Sequence, residues 1–265
     1  MSKIVPSFLK QQHNPSVDED LRMIAALFVA KNGIYFNVPG VDPWDESRDA
    51  RSYEGPYPVV AHPPCARYST YATGGPSHAG TRVAADDGGA FDAALHAVRT
   101  YGGVLEHPAG SKAWKLHGFA TPKRTGGWIP AGDGIGWTCY VEQGHYGHRA
   151  RKGTWLYAAH VALPDLQWGP SQAKILPRPG YDLAKERRRG AVERMSHRER
   201  LATPVGFRDM LIAMARTASV PHENENPARG MTPTNMFILY KTFSCRMHGL
   251  RRYAAQIKED PDLPH

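Results

Sequence analysis

The chain has 265 residues, of which 41% are hydrophobic, and a formal charge of +8. That length suits one large domain, or one domain with a small appendage, and the apolar content supports a sizeable core. The basic balance makes a polyanion a reasonable partner. The three cysteines, Cys65, Cys139 and Cys245, are scattered and form no CxxC pair, which argues against a disulfide framework or a zinc site and fits a reducing cytoplasm. The N-terminal "MSKIVPSFLKQQHNPS" lacks the apolar run of a signal peptide, and no stretch approaches the ~20 apolar residues of a membrane span.

In chain order, residues 1–20 are polar. "MIAALFVA" (23–30) reads as a buried strand or a short helix, since periodicity alone does not separate the two. "GIYFNVPG" reads as another short strand and "DPWDESRDARSY" (42–53) as a charged loop. "PVVAH" (58–62) is a strand, and residues 69–89 form a Gly-, Ser- and Thr-rich loop. A helix follows in "AFDAALHAVRTYGG": Phe91, Ala94, Leu95 and Val98 share one face, and Gly102 and Gly103 end it. "GVLEHP" (103–108) is the next strand. "GWTCYVEQGHYGHRAR" and "KGTWLYAAHV" read as two strands joined by a Gly/His/Arg turn. Residues 163–202 are rich in Pro, Gly and Arg. "TPVGFRDMLIAMARTA" is a helix with Thr203 as N-cap and Pro204 in the first helical position. A linker and a basic tail occupy 221–265.

Strand, loop, helix and strand within this short span make a βαβ unit, with parallel strands and a right-handed crossover. Both strands then end on one edge of the sheet, where open α/β sheets keep their ligands. "HPPC" and "LEHP" become neighbours. Pro63 and Pro64 stop the ladder and stiffen the turn that presents the Cys65 thiol; Glu106 supplies a carboxylate beside it. Cytosine is a ring that needs such a pair. Its 5-position does not attack a methyl donor unaided, but a thiolate added at the 6-position makes it enamine-like, and a carboxyl group at the ring nitrogen stabilises the adduct. A cation near the ring carbonyl and flanking phosphates completes the set. Arg149 and Arg151, alternating along "HRARK", would project to one side of an extended segment.

These motifs resemble the cytosine-5 DNA methyltransferases. "AHPPCARYS" is similar to the family's catalytic Pro-Cys loop, "VLEHPAG" to the strand end that supplies its cytosine-binding Glu, and "EQGHYGHRARKGTWLY" to its Gln-x-Arg-x-Arg segment leading into a strand. The three occur in the family's order over roughly residues 59–160. The resemblance implies a Rossmann-like α/β methyltransferase sheet, DNA as partner and S-adenosylmethionine, or a modified form of it, as cofactor. It implies catalytic roles for Cys65, Glu106, Arg149 and Arg151. Phe28, Asp42, Asp45, Asp49 and Pro63 would line the cofactor site, with Asp42 or Asp45 at the ribose and Asp49 at the adenine. Arg67, Ser69, His148, Lys152 and the "KERRRG" arginines Arg187, Arg188 and Arg189 would contact DNA. The target base would be flipped out or single-stranded. A compact phage or prophage relative, monomeric and protecting DNA from restriction, is the implied setting.

The sequence departs from the family at several points. Its Gly-rich first motif is absent, with "LFVAKNGIY" in its place, so that a helix or strand is expected to be missing there. Ala66 follows the Pro-Cys, Glu106-His107-Pro108 replaces Glu-Asn-Val, and Gly147 stands at the Gln of the Arg segment. By composition the chain divides into a polar segment (1–20), a catalytic core (21–162), a basic recognition segment with a closing helix (163–220) and the tail (221–265). Two other readings stay open: a methyltransferase-like DNA-binding protein without catalysis, and a thiol hydrolase pairing Cys65 with His62 or His107. Trp114 and Trp128, in Gly-rich polar loops, are candidates for stacking on bases, although core packing is the commoner fate of Trp.

Overall fold

A computed structural model describes residues 22–69, 72–73, 83–173 and 195–219. The ambiguous N-terminal apolar run is a strand. In β1 (Ile24–Leu27) all four residues are buried, and parallel strands pack on both sides of it. The expected strand at 33–40 does not form. Asn32, Asn37 and Gly40 take positive φ, which breaks an extended run into successive turns. The strand lies just beyond, as β2 (Val41–Trp44), in the segment expected to be a loop. Pro43 sits within it, which is tolerable because β2 is an edge strand. Only 3-10 turns and loops join β1, β2 and β3 (Val59–Ala61), so no α-helix forms in the connections between these strands.

The mixed sheet has seven strands in the order β2-β1-β3-β4-β7-β6-β5. Strands β2, β1, β3 and β4 (Gly103–Pro108) are parallel; β6 (Trp137–Glu142) and β7 (Gly153–Ala159) form an antiparallel hairpin, and β7 pairs antiparallel with β4. The two-residue β5 (Ile129–Pro130) closes the far edge. The fold is α/β and compatible with a Rossmann-like arrangement. Among the described residues no helix is long and apolar enough to cross a membrane.

Each face of the sheet has its own core. On one, α1 (Ala90–Tyr101) buries Phe91, Ala94, Leu95 and Val98, the stripe expected from its spacing, with Tyr53, Leu105, Trp114 and Tyr157. Trp114 belongs to the short α2 (Lys112–Leu116) and is fully buried, its indole donating to Thr138, so it cannot stack on a base. Trp128 is half-buried and donates to the Pro164 carbonyl. On the other face, α4 (Val205–Arg216) lays Phe207, Leu211, Ile212 and Met214 against Val60, Val104 and Leu156, and thereby completes the core. Its N-cap is Pro204 rather than Thr203, because Pro204 is extended (ψ 150°) and the helix starts at Val205. A helix not read from the sequence, α3 (His197–Leu201), starts in a capping box between Ser196 and Glu199. "KERRRG" and the tail at 221–265 lie outside the described residues.

Gly103 fixes how closely β3 and β4 approach. Its φ is +138°, and a Cβ there would fall 2.0 Å from the Val59 carbonyl oxygen. The glycine is required by the strand pairing rather than by the end of α1.

Candidate active site

The register of the parallel strands builds the site. Val60 lies opposite Val104 and Ala61 opposite Leu105, so His62 and Glu106 follow as the next pair. Alternation puts both on the α4 face, below Val60 and Val104. The backbone N–H of His62 makes one more ladder bond, to the Leu27 carbonyl at 3.0 Å, before Pro63 and Pro64 end the strand. Cys65 then caps a 3-10 turn, Ala66–Tyr68. Tyr68 anchors that turn by packing against Phe91 and His107, at ring-centroid separations of 5.5 and 5.6 Å.

A cleft of about 1750 Å³ opens over these strand ends. Phe28–Tyr35 line it after β1, His62–Ala66 after β3, Glu106 on β4, Tyr140 and Glu142 on β6, and Arg151 and Lys152 before β7. The antiparallel placement of β7 brings its start, and the end of β6, to the rim where the parallel strands finish. Chain order is reversed between β1 and β3 relative to β2, so the cleft sits at the topological switch point. Cys65 and Glu106, expected as neighbours, therefore share one cleft.

Glu106 is enclosed by donors. His62 Nδ1 lies 3.1 Å from its Oε2, and Gln143 Nε2 donates to its Oε1 at 3.1 Å. On the far side of the His62 ring, Nε2 meets the Tyr35 hydroxyl at 2.7 Å. Burial pushes the Glu106 carboxyl up, but the hydrogen bond and charge of His62, with Lys152 behind them, outweigh it and hold the group below the usual carboxylate range. Burial and Glu106 push the Cys65 thiol up, while Lys152 acts to lower it. Lys152 is itself lowered by burial and raised by Glu106 and Cys65. Its ammonium donates to the Ala202 and Leu201 carbonyls at 2.7 and 3.2 Å, at the end of α3.

The cation facing the thiol and the carboxylate is thus Lys152, expected at DNA phosphates. Arg149 and Arg151 do not project together. Arg151 lines the cleft and donates to the Ala173 carbonyl, whereas Arg149 is exposed and pairs with Glu199 on α3 at 2.5 Å. His148 is no phosphate contact. It is buried, its ring nitrogens meet the Ala150 and Glu199 carbonyls at 2.9 and 3.1 Å, and burial pushes its pKa down. Arg67 and Ser69 lie beyond the cleft lining, on the turn after Cys65. Arg187, Arg188 and Arg189 lie outside the described residues.

Of the residues expected at a cofactor, Phe28 and Pro63 line the cleft and the three aspartates do not. Asp42 is held by Arg48 and the Trp44 indole, Asp45 accepts from Ser47 at 2.6 Å, and Asp49 pairs with Arg51 at 2.7 Å. The loop from Phe28 to Tyr35 occupies the place of a Gly-rich turn. Phe28 and Asn32 have φ of 58° and 53°, and a Cβ on Gly33 would sit 2.7 Å from the Ala30 carbonyl. This loop thus lines the cleft at the switch point. Three features of the site are not read from the sequence: Tyr35, Gln143, and His62 as a partner of Glu106. Carrying the β3–β4 register one step past the strand pairs His62 with Glu106, and is the signal that could have found it.

Comparison with protein-family models, curated proteins and solved structures finds no match to this chain.

Proposed function

We propose that this protein is a DNA (cytosine-5) methyltransferase that uses S-adenosylmethionine. The observation that carries the reading is the meeting of Cys65 and Glu106, from two adjacent parallel strand ends, in one cleft with the Lys152 ammonium acting on both. Cys65 is the nucleophile at the 6-position of a flipped-out cytosine, and Lys152 stabilises its thiolate. Glu106 grips the ring nitrogen and amino group. Arg151, on the same rim, contacts the ring carbonyl or a flanking phosphate. Phe28, the turn at Gly33 and Pro63 would hold the cofactor, which supplies an electrophilic methyl group. The parallel half of the sheet, with its ligand edge at a switch point, supports a methyltransferase-type arrangement.

A hydrolase that pairs Cys65 with a histidine is less well supported. His62 spends both ring nitrogens on Tyr35 and Glu106, and His107 is buried against Phe91 and Trp114 with its Nδ1 at Ser111.

The test is incubation with S-adenosylmethionine and DNA containing 5-fluorocytosine, whose 5-substituent cannot leave. Wild-type protein should form a denaturation-resistant complex and Cys65→Ala should not. Absence of a complex with wild-type protein, under conditions where S-adenosylmethionine binds, overturns the covalent mechanism.

A further inference from the structure

The carboxylate that grips the base is placed as an acceptor, and cytosine needs a donor. The ring nitrogen N3 of cytosine has a lone pair and no proton. An ionised Glu106, already accepting from Gln143 and facing His62, offers N3 nothing to bond with. A proton must reach Glu106 as the ring is attacked.

We infer that His62, braced by Tyr35, is a positioning residue that supplies this proton to Glu106 and takes it back. The inference rests on the cytosine reading above. His62 is built for the task. One ring nitrogen faces the carboxylate at 3.1 Å and the other a hydroxyl at 2.7 Å. A hydroxyl serves both charge states: it accepts from the Nε2–H of the imidazolium and donates to the bare nitrogen of the neutral ring. The N–H bond at Nδ1 breaks as an O–H bond forms on Glu106, leaving a neutral imidazole. Glu106 passes the proton to N3 as the thiolate adds at the 6-position and the ring electrons shift toward N3. When the thiolate is expelled, the N3 proton returns by the same route, so the relay ends as it began, while the C5 proton that the methyl group replaces leaves to solvent.

The surroundings keep the exchange local. Lys152, His107 and Cys65 act on Glu106 from the segments around it, and all three are held at the cleft or in the core. Tyr35 is buried, which pushes its hydroxyl well above its ordinary range; Arg208 and Asp209 of α4 act on it with opposite signs. Tyr35 therefore remains protonated and serves as a hydrogen-bond partner, not as an acid. Gln143 is fully buried, with Nε2 shared between Glu106 and Thr154 and its Oε1 without a partner among the described residues. It holds the second carboxylate oxygen but has no proton to give.

The test uses the full chain and two independent readouts. The first is an NMR titration of ¹³C-carboxyl-labelled Glu106 and ¹⁵N-labelled His62 in the free protein. The Glu106 signal should show a second inflection at the pH where His62 titrates, and His62→Asn should remove it. The second readout is tritium release from [5-³H]cytosine in poly(dI–dC) with S-adenosylmethionine. Asn keeps an N–H donor toward Glu106 but cannot carry a proton, so His62→Asn should lower kcat by about 100-fold, the scale of lost proton transfer, with KM little changed. The residual activity should peak at lower pH, because Glu106 must then be protonated from solvent. Tyr35→Phe should show a smaller loss in the same direction. A Glu106 signal with no inflection at the His62 titration overturns the inference, as does an Asn variant with wild-type kcat or an unchanged pH profile. If wild-type protein binds poly(dI–dC) but releases no tritium, the cytosine reading fails, while the NMR arm still decides whether His62 and Glu106 act on each other as a coupled pair.

Discussion

Cys65 and Glu106 line the same cleft and work against each other: burial and the Glu106 carboxylate both push the thiol up, toward its unreactive protonated form. Lys152 is the opposing charge. Two substitutions should therefore move thiol reactivity in opposite directions. Glu106→Gln should speed alkylation of Cys65 by iodoacetamide near pH 8, and Lys152→Met should slow it, each by roughly three- to tenfold, since a close charge shifts a pKa by about a unit. Mass spectrometry of the Cys65 peptide measures both rates, with buried Cys139 as the unreactive control. Rates left unchanged by both substitutions would show that neither charge reaches the thiol.

The strand pairing beneath the site makes a second expectation. Gly103→Ala forces a Cβ into the Val59 carbonyl in a backbone conformation that L residues rarely adopt. The substitution should cost about 3 kcal/mol or more of stability, seen as a lower denaturant midpoint. Gly110→Ala is the comparison: its φ is also positive, but its Cβ would meet open space, and the loss should be clearly smaller.

Acid should weaken the contacts around Asp133. Burial raises this carboxyl, but hydrogen bonds from the Gly136 and Ile135 backbone, the Tyr157 hydroxyl and Arg99 hold it down at about 2. A carboxyl with a lowered folded-state pKa contributes stability that is complete above its unfolded value, near ~3.9, and is lost as pH falls through the folded one. Thermal melts of wild type and Asp133→Asn should differ most above pH 4 and converge toward pH 2. A gap that does not narrow between pH 4 and 2 would contradict this.

Cations on the cleft rim should set the salt dependence of DNA binding. Arg124 and Arg200 line the cleft. Replacing both with Gln should lower the slope of log K against log salt on poly(dI–dC) by roughly 2, since each phosphate left without its cation removes about 0.9. Neutralising Arg187, Arg188 and Arg189 should weaken binding to all sequences alike. Unchanged slopes would place the DNA path elsewhere.

The elements that carry the site are legible in the sequence because they are strongly apolar or strongly punctuated. Val59–Ala61 ends in two prolines, the α1 stripe repeats at helical spacing, and "GVLEHP" is apolar up to its charge, so Cys65 and Glu106 fall on neighbouring strand ends. Features set by tertiary context are not legible. Val41–Trp44 reads as a loop because Pro43 and its charged flanks mask an edge strand, and the asparagines that break residues 33–40 into turns act through backbone dihedrals. Lys152 reads as a phosphate contact because its bend is invisible in "HRARK"; the positive φ at Lys152 turns its side chain away from the alternation that Arg149 and Arg151 suggest. Gln143 is hidden for a related reason: it follows a hairpin strand and does not align with the arginines.

The insertion of β7 between β4 and β6 has a consequence for synthesis. Cys65 and Glu106 both leave the ribosome before Gln143 and Lys152, which reach them only when β7 pairs with β4, a long-range closure of the slow-forming kind. Until then the nascent chain has a thiol and a carboxylate with no cation from this hairpin to activate them. The two-strand hairpin thus completes the cleft late in folding, so that a product ending before residue 150 would carry the Cys65 thiol and the Glu106 carboxylate without Lys152 in the cleft.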